Sequence, residues 1–256
     1  PLFYLRKKLS LTALKTRIKY LLQSILGYER YLFTFARFKI NTLKWDSNER
    51  DFFTFLKLLP KESTVLDIGA NIGIMSVHLA RKCQSVKAFE PVPQNVKALK
   101  KVIDHYGLLN VEVYDFALGS DRDEIEMIVP VVDDVKMQGL SHVNHESITD
   151  FTEGEKITTQ QFRLDDLTEL KNERVSGIKL DVENFEYFVL KGGEELLKQH
   201  LPVIYTELWE NENRKKCFDL LKNLGYTCYV VVDNKTVPFN PDFHHTQNFI
   251  FSTKTL

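Results

Sequence analysis

The chain reads as an α/β protein. We expect a doubly wound, seven-stranded, mainly parallel sheet, with a basic helical extension before it and a small β insert within it. Three observations predict this. Short β-branched or aromatic runs alternate with helical patterns from about residue 50 onward. A glycine-rich turn, Gly69 to Gly73, follows the first run. The 256 residues are 43% hydrophobic and 27% charged, as in a globular chain that buries a sizeable core.

Taken in order, residues 1–45 form the extension. Ser10 suits an N-cap, and Leu11, Leu14, Ile18, Leu21, Leu22 and Ile25 recur at helical spacing with Lys15, Arg17 and Lys19 between them. Gly27 ends that helix, and an aromatic-rich segment runs from Tyr31 to Ile40. Residues 1–44 carry ten Lys and Arg against one acid, Glu29, a net +9, so in a chain of net charge −1 the remainder carries −10. Either the extension packs its apolar face on the main domain, or it presents a basic amphipathic surface to anionic lipid or a polyanionic substrate. Nucleic acid is not expected as a partner.

Residues 46–256 hold the expected sheet. Its strands fall at Thr64–Ile68, Ser85–Glu90, Val111–Ala117, Ser176–Val182, Val203–Leu208, Tyr226–Val232 and Phe249–Ser252. Helical patterns lie between most of them, and Glu124 to Ile128 alternates with period two in an insert that returns near Gln161 to Leu164. Apolar stretches are too short to cross a bilayer, and the basic start lacks the apolar run and cleavage site of a secretion signal. Three cysteines at no metal-binding spacing suit a reducing, cytoplasmic setting, with peripheral contact at the inner face of the membrane through residues 1–45.

The turn Asp67-Ile68-Gly69-Ala70-Asn71-Ile72-Gly73 carries the chemistry. Gly69 and Gly73 admit a ligand close to the backbone, and Asn71 tolerates a left-handed conformation. The order G-x-N-x-G is not that of a dinucleotide site, and Asp67 is awkward beside a pyrophosphate but suits a cationic ligand such as an aminoacyl sulfonium. Glu90, ending the next strand, fits two ribose hydroxyls. Asp115, ending the third, fits an adenine amine, with Phe116 against the ring.

The segments VLDIGANIGIMSVHLA, AFEPVPQN, FALGS, RLDDL, IKLDVENFEYFVLKGGEELL and PVIYTEL resemble the FkbM family of methyltransferases, from about residue 49 to the C-terminus. The resemblance implies a class I, Rossmann-like methyltransferase fold, S-adenosylmethionine as donor, and O-methylation of sugar or polyketide hydroxyls. The family's turn falls on Asp67, Gly69, Asn71 and Gly73, and its Glu-Pro pair on Glu90 and Pro91. One departure is clear: the family's Asp-Val-Glu-Gly signature has Asn184 in place of glycine.

On the acceptor side, Asp181 and Glu207 end strands next to the turn. Either is a candidate base for an acceptor hydroxyl, or the two together hold a divalent cation. Glu183 and Glu186 serve equally as caps for the following helix. His245 is a candidate base from the loop before the last strand, and His142 and His145 lie in the insert. The acceptor expected is a glycan or small molecule; a lipid or polyketide-like hydroxyl and a non-catalytic cofactor-binding module are the alternatives.

Overall fold

The computed structural model describes residues 17–132, 135–148 and 152–256. Expectations for Ser10, Leu11 and Leu14 lie outside them. Helix α1 spans residues 17–26, and Gly27, with φ of 74°, separates it from α2 (Tyr28–Thr42). Glycine adopts this left-handed φ without a Cβ penalty, which is why the chain can break there. Helix α3 (Arg50–Leu58) precedes the sheet.

The elements then run β1 (Thr64–Ile68), α4 (Ile74–Lys82), β2 (Ser85–Phe89), α5 (Pro93–Tyr106), β3 (Val111–Tyr114) and β4 (Ala117–Leu118). The insert contributes β5 (Asp123–Val132), β6 (Val135–Lys136), β7 (His142–Val143) and β8 (Gly154–Phe162). The remainder is β9 (Val175–Leu180), α6 (Glu186–Lys191), α7 (Glu194–His200), β10 (Val203–Glu207), α8 (Glu212–Asn223), β11 (Thr227–Val232), β12 (Lys235–Pro238) and β13 (Asn248–Ser252).

The main sheet has the order β12-β11-β13-β10-β9-β1-β2-β3. Strands β3, β2, β1, β9 and β10 are parallel, and β13 runs antiparallel between β10 and β11. Strand order reverses between β1 and β9, so the crevice beyond their C-terminal ends is where an open α/β sheet receives ligands. The expected seven strands are present and an eighth is added. Asp233 and Asn234, with φ of 50° and 61°, turn the chain from β11 into the edge strand β12. Two consecutive positive φ values are what a two-residue primed hairpin needs, and Asp and Asn supply them.

Both faces of the sheet are covered. Along β10, Ile204 enters the cluster containing Val189, Leu197 and Leu221, while the next residue, Tyr205, enters the cluster of Phe52, Phe55 and Leu59 from around α3. This is the period-two alternation of a strand buried on two sides. Helix α2 buries Tyr31, Leu32, Ala36 and Ile40 against Ile72, Val77, Ala98 and Val102. The insert forms a second sheet in which β5 and β8 pair antiparallel along Asp123 to Pro130, and it packs Met127, Val129 and Val143 onto the main core. No helix among the described residues is long and apolar enough to cross a membrane.

Candidate active site

Two neighbouring clefts open at the C-terminal ends of β1, β9 and β10. The first, about 630 Å3, lies under the glycine turn and is lined by Gly69, Asn71, Glu90, Pro91, Asn95 and Phe116. Gln138, Ser141 and Val143 of the insert line it too, with Asp181 and Glu183 from the end of β9. None of these lining residues is basic. A pyrophosphate would find no counter-charge here.

The turn is held from below. Gly69 and Ala70 donate backbone N–H bonds to the Phe89 carbonyl at 3.0 and 2.9 Å. Gly69 has φ of 76°, and a Cβ there would lie 1.8 Å from the Asp181 carbonyl oxygen, so only glycine lets β1 and β9 approach this closely. Asn71 takes the expected left-handed conformation, φ 51°. Glu90 is buried, with Oε2 accepting from the Asn71 N–H at 2.8 Å and Oε1 from the Val92 N–H at 2.9 Å and Asn95 Nδ2 at 3.2 Å. A carboxylate oxygen accepts two bonds, so Oε2 retains capacity for a ligand hydroxyl.

Three donor-side expectations need correcting. Asp67 does not line the cleft: it is fully buried, accepts from Ser76 Oγ at 2.6 Å and faces Lys179 Nζ at 3.6 Å, so it braces the turn from inside. Gly73 is required by packing, since a Cβ there would meet Leu99 Cδ1 at 2.6 Å. Asp115 is exposed and outside the cleft, because the chain bends after β3 and turns Phe116 inward instead. Phe116 packs edge-on against Phe162, ring centroids 4.7 Å apart.

The second cleft, about 720 Å3, is lined by Asn48, Glu49, Met75, Asp181, Tyr205, Glu207, Gln247 and Asn248. Burial, Asp181 and Glu49 push the Glu207 carboxyl up to about 7, with Lys179 opposing. Burial also raises Glu49, and burial with Asp181 and Glu207 raises Glu183 well above the usual carboxylate range. The buried Lys179 ammonium donates to the Gly69 carbonyl at 2.7 Å and lies 3.5 Å from Asp181. Burial disfavours its charge, but Asp181 and Asp67 outweigh that and raise it.

A cation thus already sits beside Asp181. Among the described residues no group of three or more His, Cys, Asp or Glu is arranged to hold a metal ion, so a cation at Asp181 and Glu207 finds no support. His245 is also displaced from the expected place. It is exposed and lines a separate hollow with His244, Arg214 and Phe239, because the Asn240 to His244 turn folds away from β10. His142 is buried with Nδ1 on the Leu140 carbonyl, and His145 packs on Phe185 and Phe188.

Glu183 and Asn184, with φ of 53° and 74°, form the bend after β9. Glu186 is buried at the start of α6, and its Oε1 accepts from the Val182 and Asn184 N–H groups, so it holds the bend. Asn184 donates from Nδ2 to the Ser147 carbonyl of the insert, accepts at Oδ1 from Asn211 Nδ2 at 2.6 Å, and at its carbonyl from Asn213 Nδ2. The residue that departs from the family signature therefore ties β9, the insert and α8 together.

Gln138, Glu49 and Tyr205 were not singled out in the sequence. Gln138 is 5% exposed and its Oε1 lacks a hydrogen-bond partner, as does the buried Oδ1 of Asn71 in the same cleft. Asn95 Oδ1, at the same cleft, is a third buried acceptor without a hydrogen-bond partner. No sequence signal marks Glu49; Tyr205 is legible only as an inward position of β10.

Comparison with known proteins agrees with this geometry. Residues 67–250 match the methyltransferase FkbM domain. A curated protein, Methyltransferase 1 of Beauveria bassiana (strain ARSEF 2860), is 25% identical over 179 residues, 64% of this chain and 71% of that protein. The crystal structure of methyltransferase FkbM from Methylobacillus flagellatus KT superposes with a TM-score of 0.50 at 16% identity, over 77% of this chain and 45% of that one. The chain therefore spans less than half of that structure, which shares its fold. With the family match extending over most of the chain, the protein belongs to the FkbM methyltransferase family.

Proposed function

We propose that the protein transfers the methyl group of S-adenosylmethionine to a hydroxyl of a sugar or glycoconjugate. One observation carries this reading: Asp181 lines both clefts, so the nucleoside-like cleft and the acidic cleft meet at a single carboxylate. The first cleft fits the donor. Asp181 and Glu183 suit its cationic aminoacyl end, Glu90 Oε2 a ribose hydroxyl, and the orphaned Asn71 and Gln138 oxygens its remaining N–H or O–H donors. When bound, S-adenosylmethionine supplies an electrophilic methyl carbon on a sulfonium sulfur.

The second cleft takes the acceptor. Its lining is almost wholly polar, with Met75 the one aliphatic side chain, and suits a polyol better than a lipid or polyketide chain, which needs apolar walls. Glu207, near 7, accepts the hydroxyl proton as the oxygen–carbon bond forms and the carbon–sulfur bond breaks. Asp181 orients that hydroxyl at the junction of the clefts, and S-adenosylhomocysteine leaves from the first.

The test is to bind S-adenosylhomocysteine by calorimetry, then incubate labelled donor with fractionated glycans and lipid extracts. We expect binding and label in glycans. Binding with label only in lipid rejects the sugar acceptor, binding with no transfer favours a non-catalytic module, and absence of binding rejects the donor assignment.

A further inference from the structure

We propose that α1 is a docking helix for an anionic lipid surface. Ile18, Leu21, Leu22 and Ile25 are 49%, 57%, 40% and 70% exposed. Their spacing, i, i+3, i+4 and i+7, places them in one stripe along the helix. The residues of α1 turned toward the protein are Lys19, Gln23 and Leu26, the last packed beside the α2 cluster. Gln23 donates to the Lys136 carbonyl at 3.2 Å and accepts from the Lys136 N–H at 3.3 Å, and Lys19 Nζ lies 3.8 Å from Met137 Sδ. Most of the aliphatic side chains of residues 17–26 therefore face outward.

The adjoining helix shows that this is not a general property of the extension. Helix α2 has the usual arrangement, with Tyr31, Leu32, Ala36 and Ile40 buried on α4 and α5. Helix α1 instead spends its hydrogen-bonding side chains on the insert and leaves four large aliphatic side chains outward, an arrangement expected only where something apolar covers them.

Charge selects the occupant. Residues 17–26 contain Arg17 and Lys19 and no acid, within a 44-residue stretch of net charge +9 on a chain whose remainder is net acidic. An apolar stripe flanked by bases lies in the plane of an anionic bilayer surface. Such a surface attracts the net positive extension, with Arg17 exposed beside the stripe, and repels the acidic body, which orients the protein. This inference does not rest on the proposed acceptor.

The experiment is cosedimentation of the full chain with vesicles of phosphatidylcholine alone and mixed with phosphatidylglycerol. The proteins compared are wild type, Leu21→Ser/Ile25→Ser and Arg17→Gln. Both variants alter exposed positions, and S-adenosylhomocysteine calorimetry reports whether the fold is kept. We expect binding to the anionic vesicles only, falling as salt rises. The double substitution should weaken it by about tenfold or more, and Arg17→Gln by a smaller factor. Absence of binding to anionic vesicles overturns the proposal, as does equal binding by the double variant. A wild-type dimer that the double substitution turns into a monomer, with no vesicle binding by either, overturns it in favour of a second copy of the chain.

Discussion

The acids on the two sides of the β1–β9 switch point are treated differently. On the β1 and β2 side each carboxylate is already partnered: Asp67 has Ser76 and Lys179, and Glu90 has the Asn71 and Val92 N–H groups and Asn95. On the β9 and β10 side, no hydrogen bond or ion pair reaches the side chains of Glu49, Glu183 or Glu207 among the described residues; burial raises all five carboxyls, so the two sides differ in partners and not in the direction of the shift. Partnered acids hold a backbone shape. Unpartnered, half-buried acids at a cleft leave their proton affinity available for chemistry. The β1–β2 side is preformed, and the β9–β10 side completes itself on bound ligand.

Glu207→Gln is the strongest way to break this contrast. We expect methyl transfer to fall by about 10²–10⁴-fold, the usual contribution of a positioned base, with S-adenosylhomocysteine affinity unchanged. In the wild type the rate should fall as pH drops below about 7, where Glu207 takes up its proton, and the variant should lose that limb. A variant with wild-type turnover would place the base elsewhere.

Glu90→Gln probes the preformed side. Its amide nitrogen would face one of the N–H donors now bonded to the carboxylate. Losing a hydrogen bond to a charged group costs about 1.5–3 kcal/mol, so S-adenosylhomocysteine affinity should drop by at least tenfold and the melting temperature should fall with it. Lowered affinity with an unaltered melting temperature would show that Glu90 serves the ligand and not the turn.

The smallest effect is expected at Glu186, a carboxylate on the acceptor side that acts structurally. Burial raises it from 4.5 to about 8, so the folded chain keeps a proton that the unfolded chain has lost between those values. That contribution to stability is fully present below 4.5 and is lost as pH rises through about 8. Glu186→Gln keeps the oxygen that accepts from Val182 and Asn184 and adds no charge. It should melt measurably higher than wild type at pH 9 and about equally at pH 4.5, measured by scanning calorimetry. Equal melting at both pH values would show that Glu186 is not buried in its charged form.

Legibility in the sequence follows the same division. The seven strands, the left-handed Asn71 and the inward Phe116 follow from local pattern, because strand period and turn conformation are decided within a few residues. The inward roles of Asp67 and Gly73 were hidden, since they depend on Lys179 and Leu99, far along the chain. Glu49 reaches the acidic cleft from before α3, and Gln138 reaches the other cleft from the insert, each by long-range packing that no spacing encodes. The extra strand β12 did leave a signal, Asp233-Asn234 between Val232 and Lys235.

Asn184 limits how freely such an enzyme can be recombined. The side chain that replaces the signature glycine joins Ser147 of the insert to Asn211 at the start of α8. A glycine in its place would have no side-chain amide for this junction, so the insert and residue 184 are coupled through it. A chimera that grafts an insert from a relative onto this chain keeps the tie only when the graft presents a carbonyl where Ser147 now stands.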